Sequence, residues 1–279
     1  MIQTQYNALN FLDDIAVDKP ATPFVKWIGG KRSILRQLKR YFPSQFTTYY
    51  EPFVGGGAVF FDLGHQNAVI SDVNFELITA YRVIQDNVEA LIALLNEHKK
   101  NHCEPYFYHI RAHQTLSDPV AVAARFIYLN KTCYNGLYRV NKKNEFNAPL
   151  GRYKNPAIVD ADNLRQCHQY LKHTIIRHQS YDSIAPQADD FVYFDPPYHT
   201  TFLGYNPVAF DESNQIALRN FCDELRQRNI KFAVSNADTD FIRYHYRHYT
   251  IVSIVAPRFV NCKAANRTGG KELLILNTV

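Results

Sequence analysis

The chain has 279 residues, 46% of them hydrophobic and 14% aromatic, enough to bury a core in one large domain or two small ones. Charged residues make up 20%, with 11 Gly and 13 Pro, which excludes a disordered, fibrous or low-complexity chain. The net charge of +5 is mild, so its distribution matters more than its size. No apolar run approaches the roughly 18 residues of a membrane span. The start, MIQTQYNALNFLDDIAVDKP, lacks the basic-then-apolar order of a signal peptide. Cysteines 103, 133, 167, 222 and 262 are odd in number, scattered and without a C-x-x-C pair. That usage fits reduced thiols in the cytoplasm and gives no zinc framework.

In chain order, YYEPFV (49–54) reads as a short buried strand running into Gly55-Gly56-Gly57, followed by a helical AVFFDLG and a second strand, AVISD, ending at Asp72. Apolar residues at 77, 78, 81, 84, 88, 91, 92 and 95 repeat with helical period from Phe75 to His98. A helical, polar-rich middle is expected to continue to about residue 155. Strands return at TIIRH (174–178) and FVYFD (191–195), and Asp211 can cap a helix through Arg228. KFAVSN (231–236), TIVSIVA (250–256) and ELLILN (272–277) read as three more strands, too close together for intervening helices, so an antiparallel pair is expected there. The pattern predicts one α/β domain carrying an inserted helical subdomain.

Charge concentrates in the middle. Between Arg125 and Asn155 lie seven basic residues (Arg125, Lys131, Arg139, Lys142, Lys143, Arg152, Lys154) and one acid, Glu145, interleaved with Phe126, Tyr128, Tyr134, Tyr138, Phe146 and Tyr153. A solvated loop explains the charges. Six aromatics among them favour a nucleic-acid surface, with cations for phosphates and rings to stack on or wedge between bases. Arg258, Lys263, Arg267 and Lys271 form a second, weaker patch.

The glycine loop lets backbone approach a ligand closely. It fails the dinucleotide fingerprint, because position 60 is Phe, and Gly30-Lys31-Arg32 fails the phosphate-loop pattern. With Asp72 positioned to accept from a ribose diol, the pair suits a nucleoside without a pyrophosphate. A tight turn and a helix-capping Asp are the plainer alternative. FVYFDPPY (191–198) is more informative. Its strand delivers Asp195 to the carboxyl end of the sheet, where ligands bind. Pro196 and Pro197 stiffen the chain and remove N–H donors. Asp195 and the Pro196 carbonyl can both accept from one –NH2 group, and Tyr198 can stack on the ring that bears it. An ordinary turn explains the prolines but not the whole constellation.

DPPY, together with EPFVGGG and the earlier FVKWIGGK (24–31), resembles the Dam-type, α-class D12 family of DNA adenine-N6 methyltransferases. The middle segment NKTCYNGLYRVNKKNEFNAPLGRY (130–153) is similar to that family's target-recognition segment. The resemblance covers about residues 24–277. It implies a Rossmann-like methyltransferase fold, with catalytic portions 20–80 and 158–279 and a recognition subdomain 81–157. Trp27, Lys31, Phe53, Gly55, Gly56, Gly57, Asp72 and Asp195 would line the S-adenosylmethionine site, and Asp195, Pro196, Pro197 and Tyr198 would hold a flipped adenine. It further implies that Tyr134 and Asn135 enter the gap left by the base, that Leu137, Arg139 and Pro149 read base edges, and that Lys26 contacts an outer guanine. Double-stranded DNA containing GATC is the implied substrate, and the resemblance leaves open both a pairing with a cognate restriction endonuclease and a solitary role.

The chemistry needs no metal. The adenine amine is a poor nucleophile because its lone pair is delocalised, and hydrogen bonds to Asp195 and the Pro196 carbonyl favour a tetrahedral nitrogen. The sulfonium methyl donor is already activated, so in-line positioning supplies much of the catalysis. Flipping costs a few kcal/mol. His109 and His113, four apart, lack a third metal ligand, and His199 reads as a loop residue beside the substrate. Methylation of a protein glutamine or of RNA adenine, and a DNA-binding module without activity, are the competing readings.

Overall fold

Residues 20–113, 116–199, 210–256 and 270–277 are described by a computed structural model of the chain. Strands β1 (Tyr49–Glu51), β2 (Ala68–Asp72), β3 (Ile175–His178), β4 (Phe191–Phe194), β5 (Lys231–Ala237), β6 (Thr250–Ala256) and β7 (Gly270–Leu276) form one sheet in the order β3-β2-β1-β4-β5-β7-β6. β3, β2, β1, β4 and β5 pair in parallel, whereas β7 runs antiparallel to both β5 and β6. The expected antiparallel pair is therefore present.

Both faces of the sheet are covered, which is why its central strands are continuously apolar. Successive residues alternate between two cores: Phe191 and Tyr193 with Ala233 and Leu274 on one side, Val192 and Phe194 with Phe232 and Ile275 on the other. The first core receives α2 (Ala58–Leu63), α3 (Phe75–Lys100), α5 (Pro119–Thr132) and α6 (Ala161–Leu171). The second receives α7 (Glu212–Gln227) and α8 (Asp240–His245). Among the described residues, α1 (Leu35–Leu38) and α4 (Glu104–Ala112) complete the helices. Helix starts carry side-chain caps: Asn74, Asp118, Asp160, Thr239 and, as expected, Asp211 each accept a backbone N–H of the first turn. α3 runs unbroken past residue 81, kinks at Asn87 and packs along α5, so the insert shares the sheet's core.

Two expectations fail. The middle is not helical after Thr132. Instead, residues 133–160 form a 3-10 turn at Tyr134–Gly136 and an irregular loop pinned by antiparallel bridges Cys133↔Leu150 and Val140↔Phe146. Asn135, Gly136 and Asn144, at φ 57°, 65° and 60°, lie in the left-handed region that a continuing helix excludes. A helix also does fit between β5 and β6, because α8 needs only six residues. Among the described residues no helix is long and apolar enough to cross a membrane. Residues 1–19, Cys262 and, in the second basic patch, Arg258, Lys263 and Arg267 lie outside the described residues.

Candidate active site

The order β2-β1-β4 places the glycine loop between two carboxylates at the carboxyl ends of the flanking strands, Asp72 and Asp195. Two strand spacings separate β2 from β4, about 10 Å. β1 is also where the chain's path across the sheet reverses, the position at which open α/β sheets bind ligands.

Asp195 follows β4 directly. Its carboxylate Oδ1 lies 2.8 Å from Lys31 Nζ, whose side chain is only 3% exposed, while Asp195 keeps 20%. The same ammonium donates to the Gly29 carbonyl at 2.5 Å and sits 4.8 Å from the Tyr198 ring centroid. Tyr198 in turn donates its hydroxyl to Glu272 Oε2 on β7 at 2.7 Å. Burial pushes the Asp195 carboxyl up to about 6, against the pull of Lys31 and with a small push from Glu272. At neutral pH it remains mostly ionised.

A chain of buried amides braces this segment. Gln215 of α7 donates to the Pro197 carbonyl at 2.8 Å and accepts from Asn236 Nδ2 at 2.9 Å. Asn236 Oδ1 accepts from the His199 backbone N–H at 3.1 Å. The imidazole of His199 bonds Thr239 and Glu212 and stacks on Phe241 at 4.5 Å. His199 is thus an anchor of the loop. Pro197 takes part through a carbonyl already occupied by Gln215.

On the other side, Gly55 (φ 47°) donates its N–H to Asp72 Oδ2 at 3.2 Å, and Asn74 N–H donates to Oδ1 at 2.9 Å. Asp72 therefore does hold a turn together, and each of its oxygens retains acceptor capacity. Burial raises its pKa despite those backbone N–H bonds. Trp27 closes over Gly55 so tightly that a Cβ there would lie 2.5 Å from the indole Cδ1. A Cβ on Gly57 (φ 71°) would lie 2.5 Å from the Tyr81 hydroxyl, which donates to the Gly55 carbonyl. Phe53 stacks on Tyr181 at 5.3 Å. A carboxylate free to accept from a diol, two aromatic walls and a side-chain-free backbone suit a nucleoside-bearing methyl donor. Below the loop, Glu51 is buried and bonded by the Tyr49 hydroxyl at 2.7 Å. Burial drives its carboxyl up to about 8, so it is protonated at neutral pH.

The residues expected to read DNA lie on one loop, 133–160, apart from Lys26 beside it. Asn130, fully buried, clamps both backbone polar groups of Lys26 and also donates to the Gly136 carbonyl at 3.1 Å. Lys26 Nζ meets the Tyr153 hydroxyl at 3.1 Å. Tyr134 is 52% exposed, and its N–H donates to the Pro149 carbonyl at 2.9 Å. Asn135 and Pro149 are exposed and Leu137 half-buried. Asn147 holds Arg139 through Nε (2.7 Å) and Nη2 (2.9 Å), leaving the far edge of the guanidinium for a ligand.

The aromatic argument from composition needs correction. Phe126, Tyr128 and Phe146 are core residues, and Tyr138 stacks on Trp27 at 5.9 Å, which leaves Tyr134 and Tyr153 as exposed rings. Arg125 is likewise interior: it pairs with Glu76 at 2.8 Å and bonds two carbonyls. Arg125, Phe126 and Tyr128 lie on α5, which is buried on every side from Val122 to Asn130, so that even its one charged residue in this run is interior. Gln215, Asn236 and Glu272 brace the site, yet nothing in the sequence singles them out, while Glu51 opens EPFVGGG and Asn130 opens the 130–153 segment without their buried roles being legible. Among the described residues no cluster of His, Cys, Asp or Glu could hold a metal, and His113 Nδ1 bonds the His109 carbonyl.

Residues 27–258 match the family model described as D12 class N6 adenine-specific DNA methyltransferase. The chain is 39% identical to the Type II methyltransferase M.MjaIII of Methanocaldococcus jannaschii, with 91% of this chain and 98% of that protein covered. It is 37% identical to the Type II methyltransferase M1.LlaDCHI of Lactococcus lactis subsp. cremoris (91% and 95% covered) and 32% identical to the DNA adenine methylase of Escherichia coli (91% and 94%). With an acid, two prolines and a tyrosine ending β4 beside a glycine loop, and a family match over most of its length, the chain belongs to the D12 class of adenine-specific DNA methyltransferases.

Proposed function

We propose that the chain transfers a methyl group from S-adenosylmethionine to N6 of an adenine flipped out of duplex DNA, within the sequence GATC. The observation that carries this reading is the Lys31–Asp195 pair beneath Tyr198, one strand from the glycine loop. S-adenosylmethionine supplies, when bound, a methyl group already activated on a sulfonium sulfur. Trp27, Phe53 and the Gly55–Gly57 backbone would wall its site, and Asp72 would accept from its ribose. Asp195, ionised at neutral pH and still partly open, accepts from the adenine amine together with the Pro196 carbonyl. Both acceptors draw the nitrogen toward a tetrahedral geometry with an available lone pair. Asp195 need not be a strong base, because the proton can leave after transfer.

Residues 20–80 and 158–279 would form the catalytic portion and 81–157 the target-recognition portion. In the latter, Tyr134 and Asn135 would fill the gap left by the flipped base and Arg139, Leu137 and Pro149 would read base edges from the major groove, while Lys26, from the catalytic portion, would contact an outer guanine. The proposed substrate places the chain in the cytoplasm. The Type II names of two relatives extend the proposal to a cognate restriction endonuclease as a functional partner. The test is transfer of tritiated methyl from S-adenosylmethionine to a GATC duplex and to duplexes with one pair replaced. Label on the intact GATC duplex, recovered as N6-methyladenine, supports the reading, and equal label on all duplexes refutes the target sequence.

A further inference from the structure

From Lys26 to Arg40 the chain carries six basic residues (Lys26, Lys31, Arg32, Arg36, Lys39, Arg40) and no acid. The folded segment sorts them by face. Lys31, Ile34 and Leu38 are buried, whereas Arg32, Arg36 and Arg40, four residues apart, are all exposed. Lys39 pairs with Asp62 at 2.5 Å, but among the described residues none of the three arginines has a hydrogen-bond or ion-pair partner.

This stripe lies on successive short elements, Arg32 on a 3-10 turn (Lys31–Ser33), Arg36 on α1 and Arg40 on a second 3-10 turn (Lys39–Tyr41). Like charges four apart on such a path repel, and no acid in these turns relieves them. The stripe also lies on the working rim of the sheet. Lys31, adjacent to Arg32, reaches Asp195. Gln37, between Arg36 and Arg40, donates to the Val255 carbonyl on β6 at 3.0 Å. Val255 pairs with Lys271, the neighbour of the Glu272 that holds Tyr198.

We propose that Arg32, Arg36 and Arg40 form a sequence-independent cradle for the phosphodiester backbone of duplex DNA beside the target site. Guanidinium forks suit phosphate oxygens, and three of them on successive turns can follow a strand. The proposal rests on duplex DNA as the substrate and not on any particular target sequence.

The test measures duplex affinity against salt concentration for the full chain and for the Arg32→Gln/Arg36→Gln/Arg40→Gln variant. Each phosphate contact contributes about 0.9 to the slope of log K against log salt, so the triple variant is expected to flatten that slope by about 2 to 3. Its affinity should fall for every sequence alike, with kcat at saturating DNA and the GATC preference unchanged. Replacing all three by Lys, which keeps the charge, should retain most of the slope and shows that the fold survives substitution. An unchanged slope in the Gln variant, with tight binding by the unsubstituted chain, overturns the cradle alone. A loss confined to one target sequence overturns it too, by making these residues base readers. Failure of the unsubstituted chain to bind any duplex removes the duplex reading and the cradle together.

Discussion

Asp195 stands under two opposed influences, burial that favours its neutral form and Lys31 that favours its charge. On the proposed mechanism the adenine amine donates to the Asp195 carboxylate, so turnover should fall as pH drops through about 6. Lys31→Met removes the main pull on that carboxyl, so the inflection of kcat at saturating cofactor should move to higher pH. An inflection unmoved by the substitution would separate Lys31 from Asp195. Asp195→Ala should nearly abolish transfer while duplex binding survives, which a filter-binding assay beside a turnover assay would show. Asp72→Ala should weaken S-adenosylmethionine binding by about 1.5–3 kcal/mol through loss of charge-assisted hydrogen bonds, read by calorimetric titration. Arg139→Ala should relax discrimination at one guanine by about 1–3 kcal/mol, visible as a changed ratio of kcat/KM between GATC and a duplex altered at that pair. A uniform loss on all duplexes would make it a phosphate or folding residue. At this scale the sequence was legible where residue type and strand end coincide, as at Asp72, Asp195 and Tyr198. It was opaque for Gln215 and Asn236, whose partners lie 18 and 37 residues away from them in sequence. Amides in a helix and a strand announce no such pairing.

At the scale of elements, the segment after β4 is rigid because four neighbours hold it: Lys31 at Asp195, Gln215 at Pro197, Glu272 at Tyr198 and Asn236 at His199. Asn236→Ala would leave the Gln215 carboxamide oxygen and two backbone N–H groups, those of His199 and Ala237, without that partner. An unsatisfied buried polar group costs about 1–3 kcal/mol, so thermal or denaturant unfolding should show a loss of that order. Turnover should fall more than duplex affinity, since the loop and not the recognition segment is loosened; equal losses in both would contradict this division. The strands and α3 were legible from periodicity because the sheet is apolar on both faces and α3 keeps one stripe inward. The irregular segment 133–160 was not. Its shape comes from Asn135, Gly136 and Asn144 at positive φ and from Asn130 tying it to Lys26, none of which gives a periodic signal. Composition likewise cannot tell an aromatic that stacks on DNA from one, like Phe126, that fills a core.

Across the whole molecule, one sheet carries Asp72 at the end of β2 and Asp195 after β4, and Glu51 lies between them at the end of β1. Its folded-state pKa of about 8 stands above the ordinary 4.5, so the folded chain holds a proton that the unfolded chain has released. The stability this provides is complete below the ordinary value and lost as pH rises through about 8. Melting temperature should therefore decline as pH rises from about 4.5 to about 8 and level off above that, and Glu51→Gln, neutral at every pH, should flatten the decline. Parallel curves for the two chains would show that Glu51 is ionised in the fold. The α/β architecture could be read from the alternation of strands and helices, whereas the sharing of one core by sheet and insert could not, because residue 81 is unmarked within α3. The central claim, that Asp195 directs methyl transfer to adenine within GATC, is tested most directly by sequencing modified bases in DNA from cells lacking their own adenine methylation and expressing this chain. The account predicts N6-methyladenine at GATC, abolished by Asp195→Ala. Modified adenines in another sequence, or GATC methylation that survives Asp195→Ala, would contradict it.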